Sequence, residues 1–256
     1  MKRRNLIAGT LIVGSLGAVT LLFVFALGIR SRHQQPTTPL TVAAERGDAA
    51  QVKKLIAAGV DLNERDKSGY TALTWAARNG NTEVAKALAE ARADLNARDC
   101  ATNGWTPLIH AIHKNNNEMA RLLIDRGADV NAKAGKCTEK LIESGAPALL
   151  YAAGEDNTEV VVALLAKGAN AHVEYNSSTA LSKAVAGAMD FTRPDDKPCP
   201  TATVKALLEH APDLTLKGDI WDRKSIFVAR HRGCTEMVKL LEERKSILAA
   251  KAVANN

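Results

Sequence analysis

Large rings are scarce in this chain, where Trp, Tyr and Phe together make up only 4% of 256 residues. That excludes a core built around aromatic side chains, so any interior must be filled by aliphatic and small residues. Cysteine is sparser still, with four residues and no Cys-x-x-Cys pair, and a four-ligand zinc cluster is not expected. A glycine-rich phosphate loop is absent, and Ser144, Ser177, Ser178, Asp195 and Asp196 stand without a phased histidine. His110 and His113 lie three residues apart, but no carboxylate or cysteine joins them at ligand spacing, so a packed or solvated pair is expected rather than a metal site. The chain reads as non-enzymatic, with no cofactor, metal or small-molecule substrate. Charge adds one more exclusion. Three of the six excess positive charges are Lys2, Arg3 and Arg4; the remaining +3 is too modest for a phosphate-binding footprint, and nucleic acid is not an expected partner.

What the chain has instead is recurrence. A Thr-Pro-Leu-Thr-Val-Ala-Ala segment at residues 38–44 returns in degraded form, its leucine matched by Leu73, Leu108, Leu149, Leu181 and Ile226. An alanine follows three residues later in every copy: Ala43, Ala76, Ala111, Ala152, Ala184 and Ala229. The steps between copies are 33, 35, 41, 32 and 45 residues, so a unit of about 33 carries insertions. A second motif keeps phase with the first, as Gly59-Val-Asp-Leu-Asn63, Arg92-Ala-Asp-Leu-Asn96, Gly127-Ala-Asp-Val-Asn131 and Gly168-Ala-Asn-Ala-His172. Ala211-Pro-Asp-Leu-Thr215 echoes it later.

Each motif has a physical reason. A threonine hydroxyl accepts an orphan amide hydrogen bond at a helix start, and proline suits the first turn. Small alanines let two helices approach closely. Gly47, Gly80 and Gly233 supply a positive φ where the first helix ends. The second helix shows helical spacing, as in Val52/Leu55/Ile56, Met119/Leu122/Leu123 and Val161/Leu164/Leu165. One such pair cannot bury its stripe alone, so neighbouring units must stack and the end units act as caps.

With two motifs in phase over roughly residues 38–245, the chain resembles the ankyrin repeat family. The resemblance implies an all-α solenoid of about six helix-turn-helix units with hairpin loops, enlarged at 134–145 and 189–200. A charged helix from Thr235 to about Val253 closes it, its end and tail covering 246–256.

Ahead of the repeats, residues 5–29 carry no charge, and 25 helical residues reach about 37 Å, enough to cross a hydrocarbon slab of about 30 Å. The run exceeds the 7–15 residues typical of a secretory signal; a retained transmembrane signal anchor is expected, with a cleaved signal as the alternative. Residues 1–4 then form a cytoplasmic N-terminus and 30–37 a linker. Basic residues before the span favour a periplasmic repeat domain on a bacterial inner membrane, although Arg30 and Arg32 weaken the asymmetry.

Cys100 and Cys137 fall in successive hairpin insertions, and Cys199 and Cys234 in successive helix-helix turns. Equivalent loops of adjacent repeats are neighbours, so disulfides Cys100–Cys137 and Cys199–Cys234 are expected in an oxidising compartment, with free thiols as the alternative.

The family resemblance implies that a protein partner docks on the hairpin tips and the concave face of the first helices. Carried onto this sequence, the tips are Lys67, Ser68 and Tyr70, then Trp105, Tyr175, Asn176, Trp221 and Arg223. The helix positions are Arg78, Asn79, His113, Lys114, Glu155, His231 and Arg232. Tyr70 and Trp105 share a slot three residues before the motif leucine. They are expected as exposed aromatic anchors, the alternative being rings lying flat against the neighbouring hairpin. Trp75 is expected in the core. An immunity or inhibitor protein against a toxic effector is the sharper functional expectation, and a scaffold or chaperone-like partner of an exported enzyme, such as an oxidative-stress enzyme, is the alternative.

Overall fold

A computed structural model describes residues 38–99, 104–135, 145–187, 199–214, 226–227 and 229–254. The uncharged run 5–29 lies outside them; among the described residues no helix is long and apolar enough to cross a membrane.

The described chain alternates two kinds of helix. Inner helices are α1 (Pro39–Arg46), α3 (Ala72–Asn79), α5 (Pro107–His113), α7 (Ala148–Gly154) and α9 (Ala180–Gly187). Outer helices are α2 (Ala49–Ala57), α4 (Thr82–Glu90), α6 (Asn117–Asp125), α8 (Thr158–Ala166), α10 (Thr201–His210) and α11 (Thr235–Ala254). Each inner helix packs on the next inner helix and each outer helix on the next outer one, giving the two-layered helical solenoid that the repeats require.

Local chemistry sets the boundaries. Thr38 and Thr71 open α1 and α3 with a reciprocal box: each accepts from the amide of Thr41 or Thr74, and that threonine's hydroxyl accepts from the capping residue's own amide. Pro39 and Pro107 occupy the first turns of α1 and α5. The turn after α1 requires Gly47. Its φ is +74°, and an added Cβ would stand 2.9 Å from Asn81 Oδ1 of the following unit. In units three and four Asn115 and Asp156 take the left-handed conformation instead, which short polar side chains tolerate better than most.

The alanines leave room for close packing, and Ala43, Ala76, Ala111, Ala152, Ala184 and Ala229 are all buried. They join Leu73, Leu108, Leu149 and Leu181 in one continuous core with the outer-helix residues Val52, Leu88, Leu123, Leu164, Leu207 and Leu241. One element departs from an all-α reading. Strands β1 (Glu174–Tyr175) and β2 (Ser178–Thr179) pair antiparallel, joined by Asn176 and Ser177 at φ of 48° and 59°. Two successive positive φ values make the two-residue turn that matches strand twist.

Candidate functional site

The loops before units two and three are organised by buried aspartates. In unit two Asp66 accepts from the amides of Ser68 at 2.8 Å and Tyr70 at 2.9 Å, and from Trp75 Nε1 at 2.7 Å. In unit three Asp99 accepts from the amides of Gly104 and Trp105, both at 3.2 Å, and its Oδ2 lies 2.7 Å from His110 Nε2. The same backbone bond closes both loops: Asp66 N donates to Tyr70 O and Asp99 N to Trp105 O, each at 2.9 Å. Unit three reaches this geometry despite two additional residues in its loop.

Neither aspartate was foreseen as an organiser, although both stand at the same step of a visible pattern, Asn63-Glu-Arg-Asp66 and Asn96-Ala-Arg-Asp99. The pairing of His110 was missed because its carboxylate is eleven residues away and comes back only through the hairpin.

Tyr70 is the principal correction. It is not an exposed tip: its exposure is 0%. Its ring packs on Trp75 with centroids 4.7 Å apart, Arg78 lies over both rings, and the Arg78 guanidinium donates to the Tyr70 hydroxyl. Burying a phenol is tolerable when its hydroxyl has a partner, and Arg78 supplies one, which leaves that guanidinium half-buried over the rings rather than projecting from the face. Trp75, as expected, is core, at 5% exposure.

Trp105 occupies the same slot in the next unit but is only half-buried. Its ring meets His110, His113 and Tyr151 edge-on, with centroids 5.2, 4.8 and 5.6 Å apart. Burial pushes the Tyr151 phenol above its ordinary value, and a hydrogen bond with Trp105 acts in the opposite direction. Tyr151 extends the row into unit four and was not singled out from sequence. The helical spacing offered a signal: Trp75, His110 and Tyr151 each stand two residues after a motif leucine.

The other expected site residues divide among several roles. His113, whose ring meets Trp105, is exposed, as is Lys114 next to it in the chain, and Glu155 is exposed at the end of α7. Lys67 is exposed and Ser68 half-buried. Asn79 acts between units, its Nδ2 donating to Glu45 O at 2.9 Å. His231 is exposed and stacks on Phe227, and Arg232 is half-buried. Tyr175 is half-buried and Asn176 exposed in the β1–β2 hairpin. Trp221 and Arg223 lie outside the described residues, as do Cys100 and Cys137.

Just beside those two cysteines, Gly135 N donates to Gly104 O at 3.2 Å, and a Cβ on Gly104 would overlap that neighbouring backbone. The two insertion loops therefore touch at their described edges. Cys199 and Cys234 lie with their Sγ atoms 2.06 Å and their Cα atoms 5.6 Å apart.

Among the described residues no group of three His, Cys, Asp or Glu side chains is placed to hold a metal, and the His110–Asp99 pair is sealed by its own hairpin. The arrangement defines a class, a helical repeat stack presenting a face of half-buried rings and charged side chains. Residues 10–99 and 40–134 match the family model for ankyrin repeats in three copies. A crystal structure of an ankyrin repeat domain from Acinetobacter baumannii AYE, at 1.00 Å resolution, is 30% identical, with a TM-score of 0.65 over 81% of this chain and 97% of that one. The chain belongs to the ankyrin repeat family. No curated protein matches it.

Proposed function

We propose that this chain, whose ankyrin repeats indicate a protein–protein interaction module, is held at the bacterial inner membrane by residues 5–29, faces the periplasm and binds a single protein partner through its inner-helix face, centred on Trp105. The observation that carries the reading is the contrast within the face: Trp105 and Tyr151 are half-buried and partly open, flanked by exposed His113 and Lys114, whereas the neighbouring aromatic pair is sealed. A rigid ring fixed by edge contacts yet open on one side loses little entropy on binding, as anchor residues require. Among such modules, an immunity or inhibitor protein directed at a toxic effector fits a small stack tethered where the effector would act.

The test places a photo-crosslinking residue at His113 of the full-length chain and a second at Lys53, on the exposed outer layer. One partner captured from position 113 and not from 53 supports the reading; equal capture from both sinks it. Topology is tested separately. A C-terminal alkaline phosphatase fusion should be active, and a reporter that fluoresces only in the cytoplasm should stay dark; the reverse pattern removes the periplasmic placement. Protection of cells by this chain against one co-expressed toxic enzyme supports the immunity role, and stable co-purification with a harmless exported enzyme would favour scaffolding.

A further inference from the structure

One register of the stack carries the ties between units. In units two, three and four the asparagine that opens the outer helix reaches back to the unit before. Asn81 Nδ2 donates to Ala44 O at 2.9 Å. Asn116 Nδ2 donates to Gly80 O at 3.5 Å and to Thr82 Oγ1 at 2.9 Å. Asn157 Nδ2 donates to Asn115 Oδ1 at 3.3 Å and to Asn117 Oδ1 at 2.5 Å. Unit five has Pro200 at this position, which has no donor to offer, and Thr203 takes over, its Oγ1 donating to Asp156 Oδ1 at 2.7 Å and lying 2.6 Å from Thr158 Oγ1.

In unit six the residue at this register is Cys234, and its neighbour in unit five is Cys199, in the slot that Gly80, Asn115 and Asp156 fill earlier. We infer that Cys199 and Cys234 form an exchangeable dithiol–disulfide site that fastens the last unit to the stack where earlier units use an asparagine clamp. This inference stands apart from the partner-binding reading. Among the described residues, α11 contacts α10 by a hydrogen bond from Arg244 Nη2 to Leu208 O at 3.5 Å, while the Arg230–Glu242 pair stays within unit six. The middle units add Arg121–Glu159 and Arg126–Glu90 pairs across their outer helices.

The chemistry is thiol–disulfide exchange with an external dithiol. Cys199 is partly exposed and Cys234 is 2% exposed, so the incoming thiolate attacks Cys199 Sγ. The Cys199–Cys234 bond breaks, and Cys234 leaves as a thiolate and takes a proton from water. The donor's second thiolate then attacks its own mixed-disulfide sulfur. Cys199 is released and protonated, and the donor departs as a disulfide, having given up two electrons and two protons. With the link open, the final helix loses the constraint on its starting turn and opens locally while the rest of the stack holds.

The experiment uses the full-length chain in detergent with Cys100→Ser and Cys137→Ser, so that only one pair can exchange, and follows amide hydrogen exchange with and without dithiothreitol. Reduction should speed exchange across residues 235–250 by roughly tens of fold and leave α3 to α8 unchanged. A Cys199→Asn/Cys234→Asn variant, rebuilding the Asn157–Asn115 arrangement, should be indifferent to dithiothreitol and exchange more slowly over 235–250 than Cys199→Ser/Cys234→Ser. The inference is overturned by unchanged exchange on reduction, by loosening spread evenly over all units, by an asparagine pair no better than the serine pair, or by peptide mapping that joins Cys234 of the unaltered chain to Cys100 or Cys137.

Discussion

In the second unit Asp66 holds the indole of Trp75, and Tyr70 vanishes beneath Arg78; in the third, Asp99 holds the imidazole of His110, and Trp105 stays half open. The two loops share their backbone closure and their buried carboxylate, so the difference comes from the side chains two and five residues after the motif leucine. Trp75 is broad enough to give Tyr70 a stacking surface, and Arg78 is long enough to reach over both rings. His110 and His113 are shorter and meet Trp105 only at its edges. An aromatic residue at a repeat tip is thus core or surface according to what its own helix places beneath it.

The largest effect that would break this comparison comes from Trp75→Ala. It opens a cavity and orphans part of Asp66, and should cost about 3–5 kcal/mol in denaturant unfolding. A loss under about 1 kcal/mol would mean that the second hairpin does not depend on its buried indole. Next comes Trp105→Ala, expected to weaken partner binding at least thirtyfold, about 2 kcal/mol, in a titration with the captured partner. It should also cost less stability than the Trp75 change; a variant that binds normally moves the site away from unit three.

Tyr70→Phe sharpens the contrast at smaller scale. Removing the acceptor of Arg78 should cost about 1 kcal/mol of stability while leaving partner capture intact, and weakened capture would return Tyr70 to the binding surface. The smallest effect lies on the outer layer, away from both hairpins. Hydrogen bonds from Arg121 and then Asn117 hold the Glu159 carboxylate below its usual range. A carboxylate lowered in the folded state contributes stability that is present above its unfolded pKa and lost as pH falls through its folded value. Because the pair is exposed, Glu159→Gln should change the acid limb of a melting profile only marginally. A larger shift there would mean that the tie carries more of the stacking than its exposure suggests.

Much of the fold was legible in the chain because stacking repeats impose a period on it. The threonine caps, the alanines of each inner helix and the positive-φ turns at Gly47, Gly80 and Gly233 all read out directly, since each answers a need local to one unit. The exposure of the site did not. Tyr70 and Trp105 occupy identical motif positions, and no period separates them. Tyr151 joins Trp105 from 46 residues away, and Asp99 reaches His110 only after its hairpin closes, so both are invisible to spacing within a unit.

The sequence by itself determined a stack of helix pairs with a small-residue interior, because a motif repeated in phase can bury its apolar stripe only against its own neighbours. Only the tertiary structure decided which rings face outward and which residue ties one unit to the next. Exposure depends on the side chains that close over a ring, and the Asn, Thr and Cys that tie successive units differ in chemistry, so that their common role becomes visible only once the units are stacked.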